Sequence, residues 1–357
     1  MTGSRKGIED MKKLRIIQVG VGFWGWSWVQ VALDSPHWEL VGIVEKREEN
    51  RKRAAEHYGF KKGQVFDSLQ KAAAALKPDA AMVIVGAESH CEVAVEALEL
   101  GMHCIVEKPL ALVMEEARKM VKTAEVAGKK LMVSQNYRYK RAPQTVKSFL
   151  KRDVIGDVGS VFLNFQKAPQ LTGFRIEIDE PLITDMSIHH FDQMRNVLGT
   201  DADWVLAHSW NTDWSRFRGN PVANAVFEMK NKTVVSYTGN WVSQGCETPW
   251  DGDWYIECSG GELRWTKNEV AFRTTNLLQE VYTKDALERG GELTLDLVHM
   301  EEEDRWACLA ELAAAIHEDR EPLTSGKDNL GSLAMVIGAC KSVSERRPVS
   351  MEEILEE

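Results

Sequence analysis

The stretch Leu14-Arg-Ile-Ile-Gln-Val-Gly20-Val-Gly22-Phe-Trp-Gly25 decides the fold of the first third of the chain. A short apolar run ends in three glycines at G-x-G-x-x-G spacing. Residues 26–33 then carry enough apolar side chains to be a helix, stopped by Asp34-Ser35-Pro36. Strand, glycine turn and helix in that order is the dinucleotide-binding arrangement. Gly20 permits a tight turn, and Gly22 lets backbone amides approach a pyrophosphate. Gly25 allows close packing of helix on strand, and the helix N-terminus favours negative charge. Phe23 and Trp24, lying between the second and third glycines, count among the cofactor contacts.

Outward from this turn, residues 40–44 form a second apolar run that ends in Glu45, twenty residues beyond Gly25. An acid there would accept hydrogen bonds from the adenosine ribose and disfavour a 2′-phosphate, which points to NAD. The adjacent Lys46 and Arg47 would suit NADP. Alternation then continues: helices at 48–58, 68–76, 91–100 and 113–127, with strands at 80–85, 103–106 and 131–133. Unalternated apolar strands between helices indicate a doubly wound parallel sheet covered on both faces. Two loops follow strands, where ligands bind in such sheets. In the first, Gly86-Ala-Glu-Ser-His90, Ser89 reads as a helix cap, and His90 as a cap or cofactor contact. In the second, Glu107-Lys108-Pro109, Glu107 and Lys108 count among the cofactor contacts, and the ammonium beside the nicotinamide would polarise a substrate hydroxyl.

The second half changes character. Residues 160–166, 205–210, 223–229, 233–241, 254–259 and 262–265 read as strands separated by turns, an antiparallel sheet with one wet face. Residues 143–150, 305–318 and 329–344 read as helices. Residues 184–192 read Thr-Asp-Met-Ser-Ile-His-His-Phe-Asp. On a regular helix, Asp185, His189 and Asp192 share one face, with His190 turned away. Carboxylate, imidazole and carboxylate in line would hold a general base in one tautomer. Asn136 and Arg138, just after the sixth strand, stand where they could meet a polyol or the nicotinamide end. Domain limits follow: a loose tail over 1–11, a dinucleotide domain over 12–134, and an α+β domain over 135–357.

Taken together, the glycine turn, Glu107-Lys108-Pro109 and the Asp185–Asp192 segment resemble the glucose–fructose oxidoreductase / inositol dehydrogenase / rhizopine-catabolism family (GFO/IDH/MocA). The similarity runs from Leu14 to about Val349. It implies that Lys108, Asp185 and His189 surround the nicotinamide and the reacting carbon, with Asp192 a further sugar contact. It also implies a sugar, cyclitol or related polyol as substrate, with hydride passing between its secondary alcohol and NAD or NADP. Dimer or tetramer contacts through the second sheet are implied as well. Where many members carry a glycine pair before the motif aspartate, this chain has Glu180-Pro-Leu-Ile-Thr184. Some relatives are NAD-dependent glycosidases or non-enzymatic sensors, and these are the alternative functions.

The bulk numbers agree. With 357 residues, 44% hydrophobic and 27% charged, the chain is an ordinary globular protein of two-domain length. Its net charge of −10 argues against a nucleic-acid partner. No run of about 18 apolar residues suggests a membrane span. The first ten residues lack a signal's apolar core, so a cytoplasmic location is expected. Six cysteines without C-x-x-C spacing suggest neither zinc nor disulfides, but buried thiols. Of twelve tryptophans, most are expected to fill a sheet face or interface, with Trp241 and Trp250 the candidates for stacking on sugar.

Overall fold

The computed structural model describes residues 12–274 and 291–356; the tail expected over 1–11 lies outside the described residues. The chain separates into two compact units. One takes the described residues up to Asn136 together with Glu302–Leu330. The other takes Tyr137–Glu301 and the residues from Gly331 onward.

In the first unit the elements alternate: β1 (Leu14–Val19), α1 (Phe23–Asp34), β2 (Trp38–Val44), α2 (Glu48–Tyr58), β3 (Val65–Phe66), α3 (Leu69–Leu76), β4 (Ala80–Val83), α4 (His90–Glu99), β5 (His103–Val106), α5 (Met114–Ala127) and β6 (Leu131–Val133). The six strands pair in parallel in the order β3-β2-β1-β4-β5-β6. The order reverses between β1 and β4, the switch point beyond which such sheets bind ligands. Ile16, Ile17, Met82, Val83 and Ile105 are fully buried because helices cover both faces. Only β3, two residues long, escaped the pattern, being too short to register as an apolar run. Helix α1 starts three residues earlier than expected, at Phe23.

The second unit begins with α6 (Arg141–Leu150), β7 (Val158–Gln166), a π-helical turn (Leu182–Met186) and α7 (Ser187–Leu198). Strands β8 (Ala202–Trp210), β9 (Val222–Met229), β10 (Val234–Asn240), β11 (Asp253–Cys258), β12 (Gly261–Thr266), β13 (Glu269–Thr274) and β14 (Glu292–Thr294) follow. The chain then returns to the first unit in α8 (Asp304–His317) and the first turn of α9 (Gly326–Glu345). It ends in the second unit with β15 (Val349–Ser350) and α10 (Met351–Glu356).

Residues 302–330, expected in the second domain, therefore belong to the first. Trp38 Nε1 donates to the Leu309 carbonyl at 2.8 Å, and Thr324 exchanges hydrogen bonds with Val133.

Among the described residues, nine strands order as β14-β13-β12-β11-β7-β10-β9-β8-β15. The pairs are antiparallel except β7 with β10, so the sheet is mixed. Side chains alternate as the period of two requires. Leu163, Phe165, Phe227, Val235, Trp254 and Trp265 are buried on the inner face. Phe191 of α7 packs there, edge-on to Phe227 at 4.7 Å. The outer face carries Phe162, Tyr255 and Leu206, all exposed. None of the described helices is long and apolar enough to cross a membrane.

Candidate active site

The glycine turn is built as its spacing requires. Gly20 has φ +91°, and a Cβ there would lie 2.2 Å from the Ile84 carbonyl oxygen. A Cβ on Gly25 would meet the Gly20 oxygen at 2.4 Å, whereas one on Gly22 would meet nothing within 4 Å. The N-terminus of α1 has no side-chain cap and no acid in its first turn. Open space at Gly22 and an uncapped, positive helix end fit a pyrophosphate. Gln18, buried inside β1, staples the turn: its Nε2 donates to the Gly20 oxygen at 2.9 Å and the Gly25 oxygen at 2.7 Å. A lone amide in a buried apolar strand was the signal for this residue.

Glu45, at the end of β2, faces the same turn. Its Oε2 accepts from the Val21 amide at 3.1 Å and its Oε1 from the Arg47 amide at 2.9 Å. Each oxygen keeps a second lone pair for a ribose hydroxyl. Lys46 is exposed, and its carbonyl accepts from Arg51 at 2.7 Å. Phe23 is 93% exposed and Trp24 half-exposed.

Glu107 is committed to the protein rather than to a ligand. Its Oε1 accepts from the indole N–H of Trp24 at 2.9 Å and of Trp28 at 2.7 Å, and its Oε2 from the Lys108 amide at 3.0 Å. Arg305 lies over the rings of Trp24, Trp28 and Trp306. This anchor fixes the backbone of Lys108 at the carboxyl end of β5. The Lys108–Pro109 peptide bond is cis.

His90, expected as a cap or cofactor contact, is buried, with Nδ1 2.7 Å from the Pro109 oxygen and Nε2 3.3 Å from the Val85 oxygen, so it braces two strand-end loops. Burial depresses its basicity. Ser89 occupies the N-cap position of α4, but its side chain caps nothing. Asn136 donates to Asp304 Oδ1 at 2.5 Å.

In the second unit the expected regular helix is interrupted. The Leu182 carbonyl accepts both the Ser187 amide, five residues on, and the Ser187 hydroxyl at 3.0 Å. The five-residue hydrogen bond makes this a π turn, and Asp185 lies in it, ahead of α7. Arg175 Nε donates to Asp185 Oδ2 at 2.5 Å. Asp192 and Arg138, expected to touch sugar, instead form a buried ion pair. Nε and Nη2 donate to the two carboxylate oxygens at 2.6 Å each, and Ser332 adds a third bond at 2.6 Å. Both residues are closed off by burial.

His189, on α7, is buried with its ring stacked on Tyr137, centroids 4.2 Å apart and 15° from parallel. The neighbouring His190 does not face solvent either. Its Nε2 lies 2.9 Å from the Trp250 carbonyl and so carries the proton. Nδ1 then accepts from the Tyr237 hydroxyl at 3.1 Å. Burial pushes the His190 imidazole down to about 4.

Trp241 is buried against Phe217, which removes it as a sugar platform; Trp250 is 42% exposed. Trp254 and Trp265 stack on each other inside the sheet. Among the cysteines, all six free, Cys246 is exposed, contrary to the expectation of buried thiols throughout. No cluster of metal-binding side chains occurs among the described residues.

Residues 14–135 match the family described as "Oxidoreductase family, NAD-binding Rossmann fold", and residues 143–264 match the "GFO/IDH/MocA C-terminal domain". The chain belongs to the GFO/IDH/MocA oxidoreductase family. It is 24% identical to a 1,5-anhydro-D-fructose reductase of Ensifer adhaerens, over 91% of this chain and 95% of that protein. It is 25% identical to a myo-inositol 2-dehydrogenase of Thermotoga maritima, over 88% of this chain and 92% of that protein. Its fold matches an oxidoreductase of Agrobacterium radiobacter, solved in complex with NAD+, L-tartaric acid and magnesium. There the TM-score is 0.84 at 20% identity, covering 96% of this chain and 99% of that one. The protein is an NAD-binding oxidoreductase.

Proposed function

We propose that this GFO/IDH/MocA protein oxidises, reversibly, a secondary alcohol of a sugar, cyclitol or related polyol, with NAD as the preferred cofactor. The observation that carries the reading is the family match together with a glycine turn open at Gly22; the resemblance assigns the reacting roles to Lys108, Asp185 and His189. The names of its relatives, a sugar reductase and a cyclitol dehydrogenase, support the substrate class. Glu45 beside the turn supports NAD.

The turn around Gly22 and the first amides of α1 would hold the pyrophosphate, and Glu45 the ribose. The bound nicotinamide supplies the hydride acceptor or donor. Lys108 donates a hydrogen bond to the substrate oxygen and stabilises its developing negative charge. His189 takes the hydroxyl proton. Asp185, tied by Arg175, adds negative charge that favours the imidazolium once formed. Arg138 and Asp192 are left out of the substrate contacts, since each satisfies the other.

A second copy of the chain is proposed to cover the outer face of the nine-stranded sheet. Tyr255 and Phe162 are register partners there, and Leu206 extends the apolar surface.

The test is absorbance at 340 nm with inositols, aldoses, ketoses and nucleotide sugars, each offered with both cofactors. Turnover on at least one polyol with NAD preferred is expected. Release of sugar from a glycoside with no net absorbance change would replace this reading with a hydrolase, and cofactor binding without turnover would replace it with a sensor.

A further inference from the structure

The ring that stacks on His189 is itself occupied on its other side. Lys140 Nζ lies 3.6 Å from the centre of the Tyr137 ring, whose stacking partner is the His189 imidazole at 4.2 Å. Two groups so close to one ring centre would collide if they shared a face, so they take opposite faces. Imidazole, phenol and ammonium therefore stand in a stack. Asp251, buried, seats the ammonium: both its carboxylate oxygens accept from Lys140 Nζ at 3.0 Å.

We propose that Lys140, held by Asp251 on the far face of Tyr137, is a positioning residue that keeps His189 a neutral proton acceptor. The proposal rests on the reading of His189 as general base. A cation on one face of a phenol draws π density away from the other. The face offered to His189 is thus poorer for a second cation. The imidazole is also within reach of the ammonium's field, in a setting that solvent screens weakly. Asp251 blunts that field without reversing it, because the ammonium is the member of the pair on the ring.

The other charges near α7 are matched locally. Asp192 is held by Arg138, Asp185 by Arg175, and Arg195 by Asp201. Lys147 on α6 donates to Asn196, and Lys167 lies over Trp250. His190 sits neutral between Tyr237 and the Trp250 carbonyl, and there too Lys140 opposes protonation. Lys140 alone among these cations reaches His189 through a shared ring. The motif is local, Tyr137 and Lys140 being three residues apart on the turn that leads into α6.

The experiment is a pH titration of the His189 ring by carbon–proton NMR in the full-length protein, assigned with His189→Gln. Wild type, Lys140→Met and Lys140→Arg are compared, and the acidic limb of kcat/KM is recorded in parallel. In Lys140→Met the His189 midpoint is expected to rise by roughly half to one pH unit, with the acidic limb moving the same way. Lys140→Arg, which keeps the charge, is expected to stay near wild type. An unmoved midpoint in Lys140→Met, or equal displacement in both variants, overturns the proposal. Should Lys140→Met not fold, Lys140→Gln carries the same expectation. A midpoint that moves while wild type turns over no polyol supports the tuning and overturns the base role instead.

Discussion

Arg138 grips Asp192 through two hydrogen bonds of 2.6 Å, and both residues are buried. The family resemblance made Asp192 look like a sugar contact, and its place after the sixth strand did the same for Arg138; in the structure the two pair with each other. Asp192→Ala would leave a guanidinium buried without its counter-charge, which costs about 3–5 kcal/mol. Chemical denaturation is expected to show that loss. Full stability together with a raised KM for substrate would return Asp192 to the site.

The two glycines at the head of the cofactor turn should separate folding from binding. Gly20→Ala forces a Cβ against the Ile84 carbonyl at a positive φ, so a large loss of stability is expected. Gly22→Ala meets no protein atom, so its melting temperature should stay near wild type. Its NAD dissociation constant should rise roughly tenfold or more, because the methyl occupies the path of the pyrophosphate. Thermal denaturation of the two variants checks the first half and isothermal titration calorimetry with NAD the second.

His190 sets an acid-side stability slope. Its folded value lies near 4 because burial disfavours the cation, against an ordinary value of 6.5. Between those two values the unfolded chain binds the extra proton, so stability falls as pH falls. The contribution is fully present above pH 6.5 and is lost down through the folded value, at about 1.4 kcal/mol per pH unit. His103, pushed down by burial and by Lys129 and Lys130, acts in the same direction. Denaturation curves at pH 7 and pH 5 test this, and His190→Phe should show a shallower slope than wild type.

Much of the first unit could be read from the chain because parallel strands buried on both faces are unbroken apolar runs, and glycines mark their ends. Helix α2 begins and ends at Glu48 and Tyr58, as the pattern indicated. What escaped depends on partners distant in sequence. Nothing near Asp192 announces Arg138 or Ser332, and nothing near Glu107 announces the indoles of Trp24 and Trp28. The π turn before α7 is a backbone choice made by the Leu182 carbonyl and Ser187, invisible to a count in fours. The return of residues 302–330 to the first unit depends on contacts such as Trp38 with Leu309, which no local pattern carries.

The exposed row on the second sheet gives a prediction about assembly. Phe162→Glu puts a charge in the middle of the proposed contact between copies, next to its register partner Tyr255. Sedimentation velocity is expected to show a dimer or larger species in wild type and monomer in the variant, with the monomer's melting temperature lowered by its exposed sheet. A monomeric wild type would remove the assembly from the account.

The most direct test of the central claim is steady-state kinetics of Lys108→Ala and His189→Ala on the best polyol found, paired with NAD binding to each variant. Each substitution is expected to lower kcat by about a hundredfold or more while the NAD dissociation constant stays within a few-fold of wild type. Unchanged turnover in both variants would contradict the assignment of the substrate's proton and oxygen to these two residues.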